Sequence, residues 1–183
     1  MGLYNRYQHE MFITRGVMVW LVLSSIIVIF DALYILNRPH TLPGGKYGHI
    51  YGPYEIYTRY DALYGPAVKD YFADIIAWLN LAEVAVTFLG LLLYLCSPKL
   101  KMVGSLLAIL ASAFVLWKTV LYIWYDWQYM SEAAREFHPD GIAFYWLPNS
   151  FWIVCPLWSI LSIGRQIGKA VLKAEAPEKK KKA

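Results

Sequence analysis

The chain has 183 residues, of which 58% are hydrophobic, 17% aromatic and only 16% charged. That balance is too apolar for a soluble domain. The formal charge of +4 is concentrated in the carboxyl tail, where it suits anionic lipid headgroups and gives no reason to expect nucleic acid. Cys96 and Cys155 fall within or at the ends of apolar runs, as two small buried apolar residues, so neither a disulfide framework nor a metal site is expected. No phosphate-binding or dinucleotide-binding glycine motif occurs, and no cofactor is expected.

Four runs reach the roughly 20 residues that a bilayer-spanning helix needs. They lie at about 17–36, 75–96, 102–124 and 142–163. The expected fold is all-α: a polytopic four-helix membrane bundle over residues 17–163, with a lead-in at 1–16 and a lysine-rich tail at 164–183. The first run is long and lacks a small-residue cleavage site, so it does not resemble a signal peptide. Eleven of the 17 Lys and Arg residues lie in the two tails and the short second connection, which predicts that both termini are cytoplasmic.

In chain order, the lead-in offers Tyr4, Tyr7 and Phe12 to the headgroup level. The first span is apolar until Asp31, whose short side chain snorkels poorly and is therefore expected to face inward. The loop at 37–74 is rich in Pro, Gly and Tyr. Its tyrosines predict an ordered cap over the lumenal end, with a short helix near 54–64 carrying Asp61. In the second span Glu83 shares a stripe with Asn80 and Thr87. The short link at 97–101 makes spans two and three antiparallel neighbours.

The third span begins with small residues at 104, 105, 108, 111 and 112, suited to close helix packing. It then carries Lys118, with Tyr122 and Tyr125 on the same stripe and Asp126 at the interface. The fourth has Pro148, Asn149, Trp152 and Pro156. In the tail, Lys180 and Lys181 match a dilysine signal for retrieval to the endoplasmic reticulum.

Depth connects these interruptions. Glu83 lies eight residues from the lumenal end of its span, Lys118 six, Asn149 seven and Asp31 five. At about 1.5 Å per residue, all four sit roughly 8 to 12 Å below the lumenal surface. A charged group at such depth costs roughly 2.5 to 3.5 kcal/mol on insertion scales. Four helices contributing one polar group each to one level predict a pocket, with Trp78, Trp117, Tyr122 and Trp152 as its walls.

Several segments are similar to the EXPERA superfamily, which contains the emopamil-binding protein (a sterol Δ8–Δ7 isomerase) and the sigma-2 receptor. They are FDALYIL in span one, YTRYDALY in the loop, LNLAEVAV in span two and WLPNSFWIVCP in span four. The resemblance covers about 26–162. It implies that Asp31, Asp61 and Glu83 fall on the family's acids, that Tyr57 and Tyr64 match isomerase tyrosines, and that Asn149 and Trp152 match the isomerase's Asn-x-x-Trp. Ile27 stands where the isomerase has a histidine, and Lys118 has no recognised counterpart. The resemblance further implies a sterol or other lipophilic small molecule as ligand, lipophilic amines as mimics, and self-association into a homodimer.

Three functions follow. In the first, a sterol isomerase, Glu83 donates a proton to the alkene and Asp31 removes one from a nearby carbon. Trp152 shelters the cation between, worth roughly 2 kcal/mol when desolvated. The remaining ligand-binding set is Asp61, Tyr57, Tyr64, Lys118, Tyr122 and Asn149. The second is a non-catalytic receptor or trafficking partner in which an acid pairs with a ligand amine. The third is a structural bundle in which Lys118 with Asp31 or Glu83 forms a buried salt bridge.

Overall fold

The computed structural model describes residues 11–66 and 71–175. Tyr4, Tyr7, Lys180 and Lys181 lie outside the described residues. Among the described residues all regular structure is helical, and four helices are long and apolar enough to cross a bilayer. The chain is an all-α, multi-pass membrane protein.

Helix α1 (Arg15–Leu36) begins where Thr14 Oγ1 accepts from the Val17 backbone N–H at 3.4 Å. It stops at Asn37, whose backbone N–H and Nδ2 both return to the Leu33 carbonyl. Pro39, just beyond, cannot extend the turn. The cap that follows holds a short helix, α2 (Gly52–Tyr57), between 3₁₀ turns at Gly48–Tyr51 and Ala62–Tyr64. The continuous helix expected over 54–64 is not formed. Asp61 instead turns its carboxylate onto the Leu63 N–H at 3.1 Å, drawing the chain into the second 3₁₀ turn.

Helix α3 (Phe72–Cys96) and helix α4 (Lys101–Asp126) are joined by a tight turn at Pro98–Leu100, so they pack antiparallel. Gly104, Ser105, Ala108, Ala111 and Ser112 are buried. A Cβ on Gly104 would stand 2.4 Å from the Gly90 carbonyl oxygen, so the crossing tolerates no side chain there.

After the one-turn helix α5 (Glu132–Arg135), the chain enters the last span, α6 (Leu147–Glu175), through a π-helical run at Ile142–Trp146. Pro148 explains the wider spacing. It has no N–H, and its ring would collide with the carbonyl four residues back.

The four long helices form a ring in which α1 packs on α3, α3 on α4 and α4 on α6. The ring is barely closed between α6 and α1. There Trp20 meets Trp152 edge-on at 5.9 Å, and Gly16 makes room for the Trp158 ring.

Three expectations change at the end opposite the cap. Phe12 is fully buried among Leu91, Tyr94, Ile163 and Ala170, not laid on the headgroups. The last helix runs on through the segment assigned to a tail, because Ile163, Ile167 and Ala170 extend its apolar stripe at helical spacing. Cys96 is exposed at the end of α3, and it and the half-buried Cys155 are both free thiols.

The cap is held by its tyrosines. Tyr34 stacks on Tyr54 with ring centroids 4.2 Å apart, and its hydroxyl donates to the Tyr64 carbonyl at 3.1 Å. Arg38 ties the two ends of the loop together, donating to the Leu63 carbonyl at 2.7 Å and pairing with Asp74 at 3.5 Å. The Ser131 N–H reaches the Tyr60 carbonyl at 3.3 Å, joining the third connection to the cap.

Candidate functional site

Beneath the cap lies a cavity of about 290 Å³, at the lower end of the roughly 300–1,000 Å³ usual for small-molecule sites. Every long helix contributes to it. Asp31 comes from α1, Asn80 from α3, Lys118, Thr119 and Tyr122 from α4, and Asn149 and Trp152 from α6. Tyr54, Tyr57 and Tyr64 form its roof. Ile27 and Val28 on one side and Pro148 and Trp152 on the other flank the thinly closed seam between α1 and α6. Ile27 is half exposed, so this seam lies at the lipid-facing surface.

Asp31 is fixed by the roof. Its Oδ1 accepts from the Tyr54 hydroxyl at 2.9 Å and its Oδ2 from the Tyr64 hydroxyl at 2.8 Å. Each oxygen keeps a lone pair for a further partner.

On α4, opposite Asp31 in the ring, Lys118 Nζ donates to Asn80 Oδ1 and to Glu83 Oε2. The Lys118 and Glu83 side chains are only 10% and 8% exposed. Of the two acids considered as partners for the lysine, Glu83 is the one that takes it. Glu83 also does not line the main cavity, as a proton donor to a ligand there would have to. It lies on a smaller void of about 30 Å³ with Ser25, Thr87 and Ser112, behind the ammonium group. The helical rise places Glu83 at the right level, but its azimuth points it at α4.

Asp61 stands behind the cavity wall and is fully buried. The Tyr122 hydroxyl donates to its two oxygens at 2.9 and 2.7 Å. Burial, and next the negative charge of Asp126, push its carboxyl well above the ordinary aspartate range, against the hydroxyls of Tyr122 and Tyr57, which favour the charged form. Asn149 donates to the Tyr145 carbonyl at 2.9 Å and to the Tyr57 hydroxyl at 3.4 Å, linking α6 to the roof.

Two expected walls are absent. Trp78 and Trp117 are 64% and 69% exposed and face outward, away from the cavity. Both sit on the lipid-facing side of their helices, where an indole is as comfortable as in a pocket.

Tyr54 and Asp126 are the residues that sequence reasoning missed. Asp126 was assigned to the interface, yet it is fully buried, with the Tyr145 hydroxyl facing its carboxylate. A signal was available: Asp126 follows Tyr122 by four residues and Thr119 by seven, on the stripe that lines the site.

The class of protein is thus a four-helix membrane bundle with an aromatic-roofed polar cavity beside the thinly closed seam between α1 and α6. No family model, curated protein or solved structure matches the chain.

Proposed function

We propose that the chain binds a polycyclic, sterol-like lipid in this cavity, as a receptor or carrier of the EXPERA kind. The observation that carries this is the arrangement of the cavity itself: a polar end at Asp31 and Lys118, aromatic walls, and a seam toward lipid between α1 and α6. An apolar ring system would enter through the seam and leave its tail between the helices. Trp152 is the wall on which the rings would lie. The test is saturable binding of a photoreactive sterol to purified protein in nanodiscs, with Trp152→Ala lowering affinity about tenfold and Val28→Trp, which fills the cavity, abolishing it. No saturable labelling in the wild type would reject the proposal.

A second reading is isomerisation of a ring double bond through a carbocation. It is favoured by Asp31 and Trp152 standing on one cavity. It is opposed by the ammonium group on the same wall and by the engagement of Glu83 with it. Turnover of a Δ8-sterol by purified protein, abolished in Asp31→Asn, would establish it.

We further propose residence in the endoplasmic reticulum with both termini cytoplasmic. Support comes from the Lys and Arg distribution and the Lys180–Lys181 pair. Protease protection of terminal tags, and loss of retention when both lysines become serine, test this. Self-association into a homodimer, tested by light scattering in detergent, and recognition of lipophilic amines belong to the same proposal.

A further inference from the structure

Lys118 is used incompletely by the bundle. An ammonium group has three N–H donors. Two are taken by Asn80 and Glu83, which lie toward α3, and the lysine also lines the main cavity. The third donor is therefore available to a ligand. A cationic amine would have to keep to the Asp31 side of the cavity, away from this donor, because like charges a few ångströms apart in a low-dielectric site repel strongly. An anionic lipid is disfavoured by the Asp31 carboxylate on the same cavity. A neutral oxygen acceptor fits. Asn80 Oδ1 and Glu83 Oε2 are already occupied by the lysine itself. A carbonyl, which only accepts, has its needs met in full.

The wall across the cavity carries the complementary group. Asp31 is held by one phenol on each oxygen, so its carboxylate is oriented and retains lone pairs toward the cavity. A hydrogen-bond donor for a carbonyl oxygen on one side and a fixed carboxylate on the other are the two groups that enolisation requires.

We infer that the cavity takes a polycyclic lipid ketone and shifts a β,γ double bond into conjugation through an enolate, with Lys118 holding the oxygen and Asp31 carrying the proton. This rests on the lipid-binding proposal and deepens it. Asp31 removes the proton from the carbon between the carbonyl and the alkene. The C–H pair becomes a new C=C bond and the carbonyl π pair moves to oxygen, where Lys118 stabilises the negative charge. The oxygen pair then re-forms C=O, the double bond moves one position, and the γ-carbon takes the proton back from Asp31. Nothing is oxidised or reduced, and no other reactant enters. The positive charge on the wall, which opposes a carbocation, favours this intermediate.

The experiment uses purified protein in nanodiscs with three probes: cholest-5-en-3-one, its saturated analogue cholestan-3-one, and the hydrocarbon cholestane. The expected results are tighter binding of cholestan-3-one than of cholestane, and growth of the conjugated-enone absorbance from cholest-5-en-3-one above the protein-free rate. Asp31→Asn should lower turnover at least 100-fold while cholestan-3-one still binds. Lys118→Met combined with Glu83→Gln, which removes both charges together, should abolish the preference for ketone over hydrocarbon and lower turnover about 100-fold, the usual effect of losing one oxyanion donor. Circular dichroism would verify that this double variant is folded. Equal binding of cholestan-3-one and cholestane to the wild type, or ketone binding without enone formation, would overturn the inference and leave lipid binding standing. Failure of all three probes to bind would overturn both.

Discussion

The Lys118–Glu83 pair makes a quantitative prediction about what holds the bundle together. Both side chains are about nine-tenths buried, so the pair is shielded from solvent screening. Lys118→Met leaves the Glu83 carboxylate in a void of about 30 Å³ with no cation, and Glu83→Gln leaves the ammonium group with only amide oxygens. Removing one partner of a buried pair costs about 3–5 kcal/mol, whereas replacing both with uncharged groups of similar size is about neutral. Each single variant should therefore lose about 3–5 kcal/mol, and Lys118→Met/Glu83→Gln should return to within about 1 kcal/mol of wild type. The coupling energy from the double-mutant cycle should then be at least about 5 kcal/mol. Reversible unfolding in mixed detergent–SDS micelles, followed by tryptophan fluorescence, measures all four proteins. Single variants as stable as wild type, or losses that simply add in the double variant, would show that the two charges do not depend on each other.

Gly104→Ala should destabilise the protein by about 1–3 kcal/mol, because its Cβ would stand 2.4 Å from the Gly90 carbonyl oxygen. Gly164→Ala meets open space and should be neutral or slightly stabilising in the same unfolding assay. The buried Asp61, faced by Tyr57 and Tyr64 from the cap, Tyr122 and Asp126 from α4, Tyr145 from the π run and Asp31 from α1, holds its proton more tightly folded than unfolded. Its contribution is therefore fully present below the unfolded pKa of about 4 and is lost as pH rises from there toward the folded value. Unfolding free energies at about pH 5 and about pH 8 should show stability falling with pH and a flatter dependence in Asp61→Asn; equal slopes would contradict the assignment. Tyr54→Phe and Tyr64→Phe each remove one donor from Asp31 and should each loosen the cap by about 1–3 kcal/mol, read as faster hydrogen exchange over residues 48–65.

The span count and the depth of the polar level were legible because the bilayer dictates both. Length and hydropathy mark a span, and the helical rise converts residue number into depth. Azimuth was not legible. Trp78 and Trp117 were assigned to the cavity on depth alone, and both face outward. Glu83 was assigned there on depth together with its stripe; Asn80, Glu83 and Thr87 are all buried, but within the bundle the Glu83 carboxylate turns to Lys118 and not into the cavity. The stripe logic that should supply azimuth is weak in a helix whose outer face is also apolar, since lipid and core make the same demand on a side chain. Where the outer face carried a distinct signal, the stripe worked. The buried small residues of α4 mark the α3 crossing, and Tyr122 marks the cavity side.

Asp126 shows the converse limit. A carboxylate just past the hydrophobic stretch is ordinarily in water, and the one local sign against that here is the stripe it shares with Thr119 and Tyr122. Its burial comes from two segments far away in sequence: the cap, tied to the third connection through Tyr60 and Ser131, and the π run that places Tyr145 over it. Both depend on close backbone approaches. A Cβ on Gly141 would lie 2.1 Å from the Ala133 carbonyl oxygen, so any side chain there would push the π run away from α5. The polar network around Asp61 and Asp126 is thus a consequence of how two loops dock on each other. The polar level set by Asp31, Asn80 and Lys118 is a consequence of the helices alone. This division explains why the second could be inferred from spacing and the first could not.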